Sequence, residues 1–276
     1  LTEASGPELM TDELRYTRQK IVSRATWLDD KLFSLRVTRD QTFSFLPGQF
    51  ARLGLALAST DDAAAPLEWR AYSMVSSPNE PELEFLSVVV PDGKFSPAMA
   101  RLSIGDEILI DKTVYGFLTL DRFTDGDDLW LICTGTGLSA YIAMLRDPRI
   151  WTQFKRVILV HGVRQANELT YRQEMLDLID DDKPLVYLPI TSKEASSPGL
   201  SPHVHTDLVQ PGRMTSLLSS GELEQRVRIE LNPSASRVML CGNPAMVTEM
   251  RTLLSARGFA AGRRGVAGNL AVENYW

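Results

Sequence analysis

The sequence predicts a β + α/β chain, with an antiparallel β part first and a parallel α/β part second. Three observations predict it. Up to about residue 115, short runs of partly alternating apolar residues are separated by turn clusters. Residues 121–128 are acidic and turn-prone. Beyond them, apolar runs alternate with amphipathic segments. The length of 276 residues suits one large domain or two modest ones, at roughly 150 residues each. Charged residues make up 23% and hydrophobic ones 44%, ordinary values for a globular chain that exclude extended disorder and collagen-like repeats.

The first part reads in order as follows. Residues 1–15 are polar and acidic and are expected to form a tail. From Tyr16, YTRQKIVSRATWL, KLFSLRVTR, FARLGLAL, LEWRAYSMV, LEFLSVVV and DEILIDKTV are strand-like. Turns separate the early ones at Asp29-Asp30, Pro47-Gly48 and 59–66. Short strands at this spacing imply an antiparallel barrel or sandwich over 16–124. One helix is expected at Ser96–Leu102.

The second part, 125–276, starts with the strand LWLIC and the turn TGTG, then the helix LSAYIAMLRD. RVILVHGV is a buried strand. TYRQEMLDLI is a helix with Thr170 and Gln173 at capping-box spacing. LVYLPIT, GELEQRV and RVMLCGN follow as strand, helix and strand. AMVTEMRTLLSAR is amphipathic, with Met246, Met250, Leu253 and Leu254 on one face. Such alternation implies parallel βαβ units.

Composition narrows the function classes. The net charge is −6. Residues 1–124 hold 13 basic and 18 acidic side chains, and 125–276 hold 16 and 17, so neither part is a basic nucleic-acid module. The longest apolar runs fall far short of the ~20 residues a membrane span needs, and no secretory pattern opens the sequence. The two cysteines, Cys133 and Cys241, cannot ligate an iron–sulfur cluster alone. Each ends an apolar run, as free thiols in a reducing, cytoplasmic compartment would. His203 and His205 lie two apart in a Pro/Ser-rich stretch with no third ligand spaced for a metal, so no metal site is expected.

Five short motifs carry candidate chemistry. In Arg70-Ala71-Tyr72-Ser73, strand alternation puts Arg70 and Tyr72 on one face, roughly 7 Å apart. An arginine pairs with phosphate and a tyrosine stacks on a flat ring. In Pro91-Asp92-Gly93-Lys94-Phe95-Ser96-Pro97, Ser96 is placed as a helix N-cap with Pro97 in the first turn, where free N–H groups accept an anion. Thr134-Gly135-Thr136-Gly137 joins strand to helix and lets a phosphate approach the backbone, although the full dinucleotide fingerprint is absent. Cys241-Gly242-Asn243-Pro244 ends another strand, where open α/β sheets bind ligands. The sequence given closes on Glu273-Asn274-Tyr275-Trp276, two aromatics able to cover a planar group. Taken singly, each is equally a surface pair, a capped helix, a tight turn, a buried cysteine or a last core strand.

Together and in this order, these motifs resemble the ferredoxin–NADP⁺ reductase family, most closely its bacterial ferredoxin/flavodoxin branch, over about residues 16–276. The resemblance implies a six-stranded FAD-binding β-barrel followed by a Rossmann-like NADP-binding domain. It implies that Arg70 binds the FAD pyrophosphate, that Tyr72 stacks on the flavin with Ala71 beside it, and that Ser73 sits near flavin N5. Ser87, Val88 and Val89 would line the flavin, and Lys94, Phe95 and Ser96 would hold the pyrophosphate. Thr136 would lie near both cofactors, Tyr275 would cover the second flavin face, and Trp276 would pack on the adenine.

For NADP(H), the resemblance implies contacts from Arg164, Thr191, Ser192, Lys193 and Arg213 around the 2′-phosphate, and from Cys241, Gly242 and Asn243 around the nicotinamide. No Asp or Glu ends the second strand to grip a free 2′-hydroxyl, which favours NADP over NAD. Hydride exchange needs no general acid or base, so Ser73, Cys241 and Glu273 are expected to position the reacting groups. Residues 15–52 hold eight basic and three acidic side chains, and 251–268 hold four basic and no acidic ones. Such stretches would steer an acidic ferredoxin or flavodoxin. A monomer with no nucleic-acid or membrane partner is expected. The alternatives are an oxygenase reductase component, a free-flavin reductase, or a flavin sensor without turnover.

Overall fold

The computed structural model describes residues 15–56, 67–193, 209–263 and 267–274. The chain divides into two compact units, Leu1–Gly116 and Phe117–Trp276. Sequence places the division after residue 124. Leu118, Leu120 and Phe123 are buried, and Gln153 Nε2 donates to the carbonyls of Leu120 and Phe123 at 3.2 and 2.8 Å. Those bonds tie 117–124 to the second unit.

The first unit holds β1 (Tyr16–Leu28), β2 (Leu32–Val37), β3 (Phe50–Ala56), β4 (Leu67–Ser73), β5 (Leu83–Val88), helix α1 (Phe95–Ala100) and β6 (Glu107–Tyr115). All pairings are antiparallel, in the order β4-β3-β6-β1-β2-β5. The two edge strands meet. Met74 bridges Phe85, and Val75 N–H donates to Glu84 O at 2.8 Å. That closure settles barrel against sandwich, because a closed sheet leaves no long unpaired edge. Alternate residues such as Phe33, Leu35, Val37, Leu53, Ile108 and Ile110 fill the interior.

Helix α1 corrects one expectation. Its N-cap is Lys94, without a side-chain cap, and Ser96 lies inside the helix. The buried Ser96 Oγ instead accepts from Val90 N–H at 2.9 Å, holding the turn that precedes the helix.

The second unit is a six-stranded parallel sheet in the order β10-β9-β8-β7-β11-β12. Its elements are β7 (Asp128–Thr134), α2 (Leu138–Leu145), α3 (Arg149–Gln153), β8 (Arg156–Val163), α4 (Arg172–Asp180), β9 (Leu185–Thr191), β10 (Gln210–Pro211), α5 (Met214–Ser220), α6 (Glu222–Val227), β11 (Ser236–Gly242), α7 (Pro244–Ala256) and β12 (Leu270–Asn274). Central β7 is apolar from Leu129 to Cys133 because both faces are covered. Leu129, Trp130, Leu131 and Ile132 are all fully buried, each worth roughly 1.5–3 kcal/mol of transfer free energy.

The acidic run before β7 has a structural reason. Asp125, Asp127 and Asp128 pair with Arg237, Lys155 and Arg156 at 2.7, 2.9 and 2.6 Å, clamping the amino end of the sheet. The capping box foreseen at Thr170 and Gln173 does not form. Tyr171 caps α4 in the left-handed region, at φ 54°, and Thr170 is buried.

Candidate functional site

In the first unit the expected residues gather on edge strand β4 and the neighbouring β5–α1 segment. Tyr72 is half-buried. Its hydroxyl lies 3.2 Å from Ser87 Oγ, and its ring packs on Phe95 at 5.9 Å between centroids. Burial raises its pKa. Arg70, two residues back on the same face, is exposed and, among the described residues, reaches its own strand, Glu68 Oε2 at 3.1 Å and Trp69 O at 2.7 Å. Ala71 is exposed, whereas Ser73, at the strand end opposite Phe50, is buried. Val88 and Val89 are half-buried, and Lys94 is exposed.

This set fits a flavin dinucleotide by its donor chemistry. An anion can replace Glu68 on the Arg70 guanidinium. The first-turn N–H groups of α1 have no intrahelical partner. Tyr72 offers a ring held in place from behind by Phe95.

In the second unit the site is set by topology. From β7 the chain runs outward through β8, β9 and β10, then returns to place β11 on β7's other side. The gap between the carboxyl ends of β7 and β11 is the switch point, where open α/β sheets bind ligands. Both glycine turns lie there. Asn243 N–H donates to Thr134 Oγ1 at 2.8 Å. A Cβ at Gly137 would stand 2.8 Å from Cys241 O, and one at Gly242, where φ is 132°, would collide with Thr134. Gly135, at φ 53°, has open space where a side chain would be, so a ligand backbone can approach. Asn243 Oδ1 caps α7, accepting from Ala245 and Met246 N–H at 3.0 and 3.3 Å. Thr136 is half-buried in the first turn.

Strand register aligns four ionisable side chains across the sheet. Glu273 on β12, Cys241 on β11, Cys133 on β7 and His161 on β8 are successive partners. Trp130, Ile132, Val238 and Leu240 line the opposite face. Burial pushes both thiols well up, and burial lowers the His161 pKa to about 4. His161 Nε2 lies 3.3 Å from Gly135 O, so the neutral ring donates there and steadies the turn. Burial raises Glu273 to about 7, against a weaker opposing hydrogen bond from Phe117 N–H.

At the outer end of this edge, backbone bonds stitch three loops together. Ser192 N–H donates to Val163 O, Lys193 N–H to Arg164 O and Gly212 N–H to Thr191 O, at 3.0, 3.1 and 2.9 Å. Glu168 Oε2 accepts from Arg164 N–H at 2.8 Å. Thr191 is buried, while Ser192 and the three cations Arg164, Lys193 and Arg213 are exposed. The Glu168 carboxylate is taken up by the Arg164 and Gln165 N–H groups, and cations on these stitched loops fit a phosphorylated ribose.

The family model for an oxidoreductase NAD-binding domain matches residues 131–252. The chain is 35% identical to ferredoxin–NADP reductase A of Sorangium cellulosum over 268 residues, covering 94% of this chain and 89% of that one. It is 36% identical to the flavodoxin/ferredoxin–NADP reductase of Escherichia coli, with 93% and 97% covered. The chain belongs to the ferredoxin/flavodoxin–NADP reductase family. A ferredoxin–NADP⁺ reductase of Neisseria gonorrhoeae, solved with bound FAD and NADP, superposes on this family member with a TM-score of 0.84 at 32% identity, covering 95% and 99%.

Two expected site residues of this reductase-family chain, Tyr275 and Trp276, lie outside the described residues, as do His203 and His205. Sequence reasoning gave Thr134 a place in the first glycine motif but no role of its own; the signal for one is a hydroxyl to spare at a strand end.

Proposed function

We propose that this chain is an FAD-dependent ferredoxin or flavodoxin–NADP⁺ oxidoreductase, acting as a monomer in the cytoplasm on a small acidic redox protein. The observation that carries the reading is the pair of glycine turns interlocked at the switch point, with Cys241 behind them and three cations on the same sheet edge. FAD, held by the first-unit residues, would supply the hydride-transfer and single-electron chemistry.

The chain's residues do the rest. Arg70 neutralises the diphosphate, helped by the N–H groups of residues 94–96. Tyr72 holds the ring system flat, with Ser87, Val88 and Val89 along its edge. Ser73 orients the reacting edge by hydrogen bonding. Thr134, Thr136 and the two glycine turns seat the nicotinamide, and Cys241 backs it. Arg164, Ser192, Lys193 and Arg213 grip the 2′-phosphate, with Thr191 setting the strand end. Glu273, neutral below about pH 7, adds no charge beside the nicotinamide at that pH.

The test is direct. The purified protein should be yellow, and anaerobic titration should bleach its flavin with NADPH at far lower concentration than with NADH. A colourless protein that takes up no added FAD refutes the reading. A colourless protein that reduces free flavin turnover by turnover replaces it with a free-flavin reductase.

A further inference from the structure

We infer that Cys133 and Cys241 form a dithiol site open to reversible oxidation to an intrachain disulfide. The inference rests on the reading of Cys241 as a nicotinamide-backing residue only for its effect on activity. The bond itself follows from the sheet.

Cys133 and Cys241 are register partners on adjacent parallel strands, and both are free. Partners on parallel strands project to the same face. Here that is the face opposite Trp130, Ile132, Val238 and Leu240. Neighbouring strands lie about 4.8 Å apart, inside the Cα separation a disulfide accepts. One residue beyond the pair, the Asn243–Thr134 hydrogen bond fixes the two strand ends together. The ladder therefore holds the pair one strand spacing apart, so the two side chains need only lean together, with no hinge to close. Cys133 adds to the cost of ionising Cys241, as a close neighbour does.

The oxidant is a peroxide. One thiolate attacks a peroxide oxygen, giving a sulfenic acid and releasing water. The second thiol displaces that hydroxyl as a second water and forms the S–S bond. Two thiols lose two protons and two electrons, and one hydrogen peroxide becomes two waters. Because both thiols are buried, the reaction is slow compared with an exposed thiol. Bridging draws Cys241 sulfur toward β7 and away from the face it presents to a ligand.

The experiment treats the FAD-loaded protein with hydrogen peroxide and reads three things. Intact mass should fall by the mass of two hydrogens, denatured thiol titration should drop from two to zero, and NADPH-driven flavin reduction should slow at least fivefold. Dithiothreitol should restore all three. Cys133→Ala should keep its starting activity, gain no disulfide, and lose the peroxide-induced, dithiothreitol-reversible slowing. Two thiols still titrating after a dose that fully oxidises free cysteine overturns the proposal. So does oxygen addition without hydrogen loss, or a disulfide between two chains. Bridging without slowing leaves the dithiol site standing and strikes the nicotinamide role of Cys241 instead.

Discussion

Asn243 and Thr134 join the carboxyl ends of β11 and β7 through one hydrogen bond of 2.8 Å, from the Asn243 N–H to the Thr134 hydroxyl. The bond spans the switch point, so the two glycine turns that flank it move as one piece. Gly242 has no room for a side chain because Thr134 occupies that space.

Thr134→Val keeps the shape and removes the acceptor. The exposed Asn243 N–H then turns to water, so the loss is a net hydrogen bond of about 1 kcal/mol. Thermal melting should fall by roughly 2–4 °C. Because the turns lose their common anchor, KM for NADPH should rise about fivefold, the equivalent of the same free energy, with the flavin spectrum unchanged. A stability loss with unaltered KM would separate the bond from the site.

Glu273 gives a pH dependence of unusual sign. Its folded pKa is raised from 4.5 to about 7 by burial. Between those values the folded chain binds a proton that the unfolded chain has released, so stability falls as pH rises from roughly 4.5 through 7 and stays lower above. A paired carboxylate would do the reverse. The group is only half-buried, so after solvent screening the effect is on the order of 1 kcal/mol. Glu273→Gln should remove it. Urea unfolding at pH 5 and pH 8 should show the variant gaining on the parent at the higher pH, and equal curves at both would refute the buried, neutral carboxyl.

Much of this was legible in the sequence because periodicity reports burial. The runs around Phe33, Leu53 and Ile108 alternate since one barrel face is packed, and β7, β8 and β11 are continuous since both faces are covered. What was not legible depended on three-dimensional neighbours. Ser96 carries the signature of an N-cap, yet its hydroxyl serves Val90 in the turn before it. Asp125–Asp128 has the composition of a linker, and its charges are used on Arg237, Lys155 and Arg156. The abreast placement of Glu273, Cys241, Cys133 and His161 is a matter of strand order, which no local pattern encodes.

The cation cluster predicts cofactor choice. Arg164 and Lys193 are joined through their backbones, and both side chains are exposed. Arg164→Ala with Lys193→Ala removes two of the three charges proposed to hold a 2′-phosphate. KM for NADPH should rise ten- to hundredfold, and KM for NADH should change less than threefold. Equal losses for both would mean that these side chains support the loops and not the phosphate.

Ser73 tests the flavin side of the proposal. Its place is set by the last β3–β4 pairing, opposite Phe50, and the residue is buried. Removing its hydroxyl leaves the ladder and the neighbouring Arg70 and Tyr72 intact, so Ser73→Ala should retain FAD with a normal visible spectrum. The hydroxyl's proposed task is orientation at the moment of hydride exchange. A lost orienting hydrogen bond of about 1.4–3 kcal/mol slows that step ten- to roughly a hundredfold. Stopped-flow reduction by NADPH isolates the step from partner turnover. An unchanged rate there would leave Ser73 as a packing residue at a strand end.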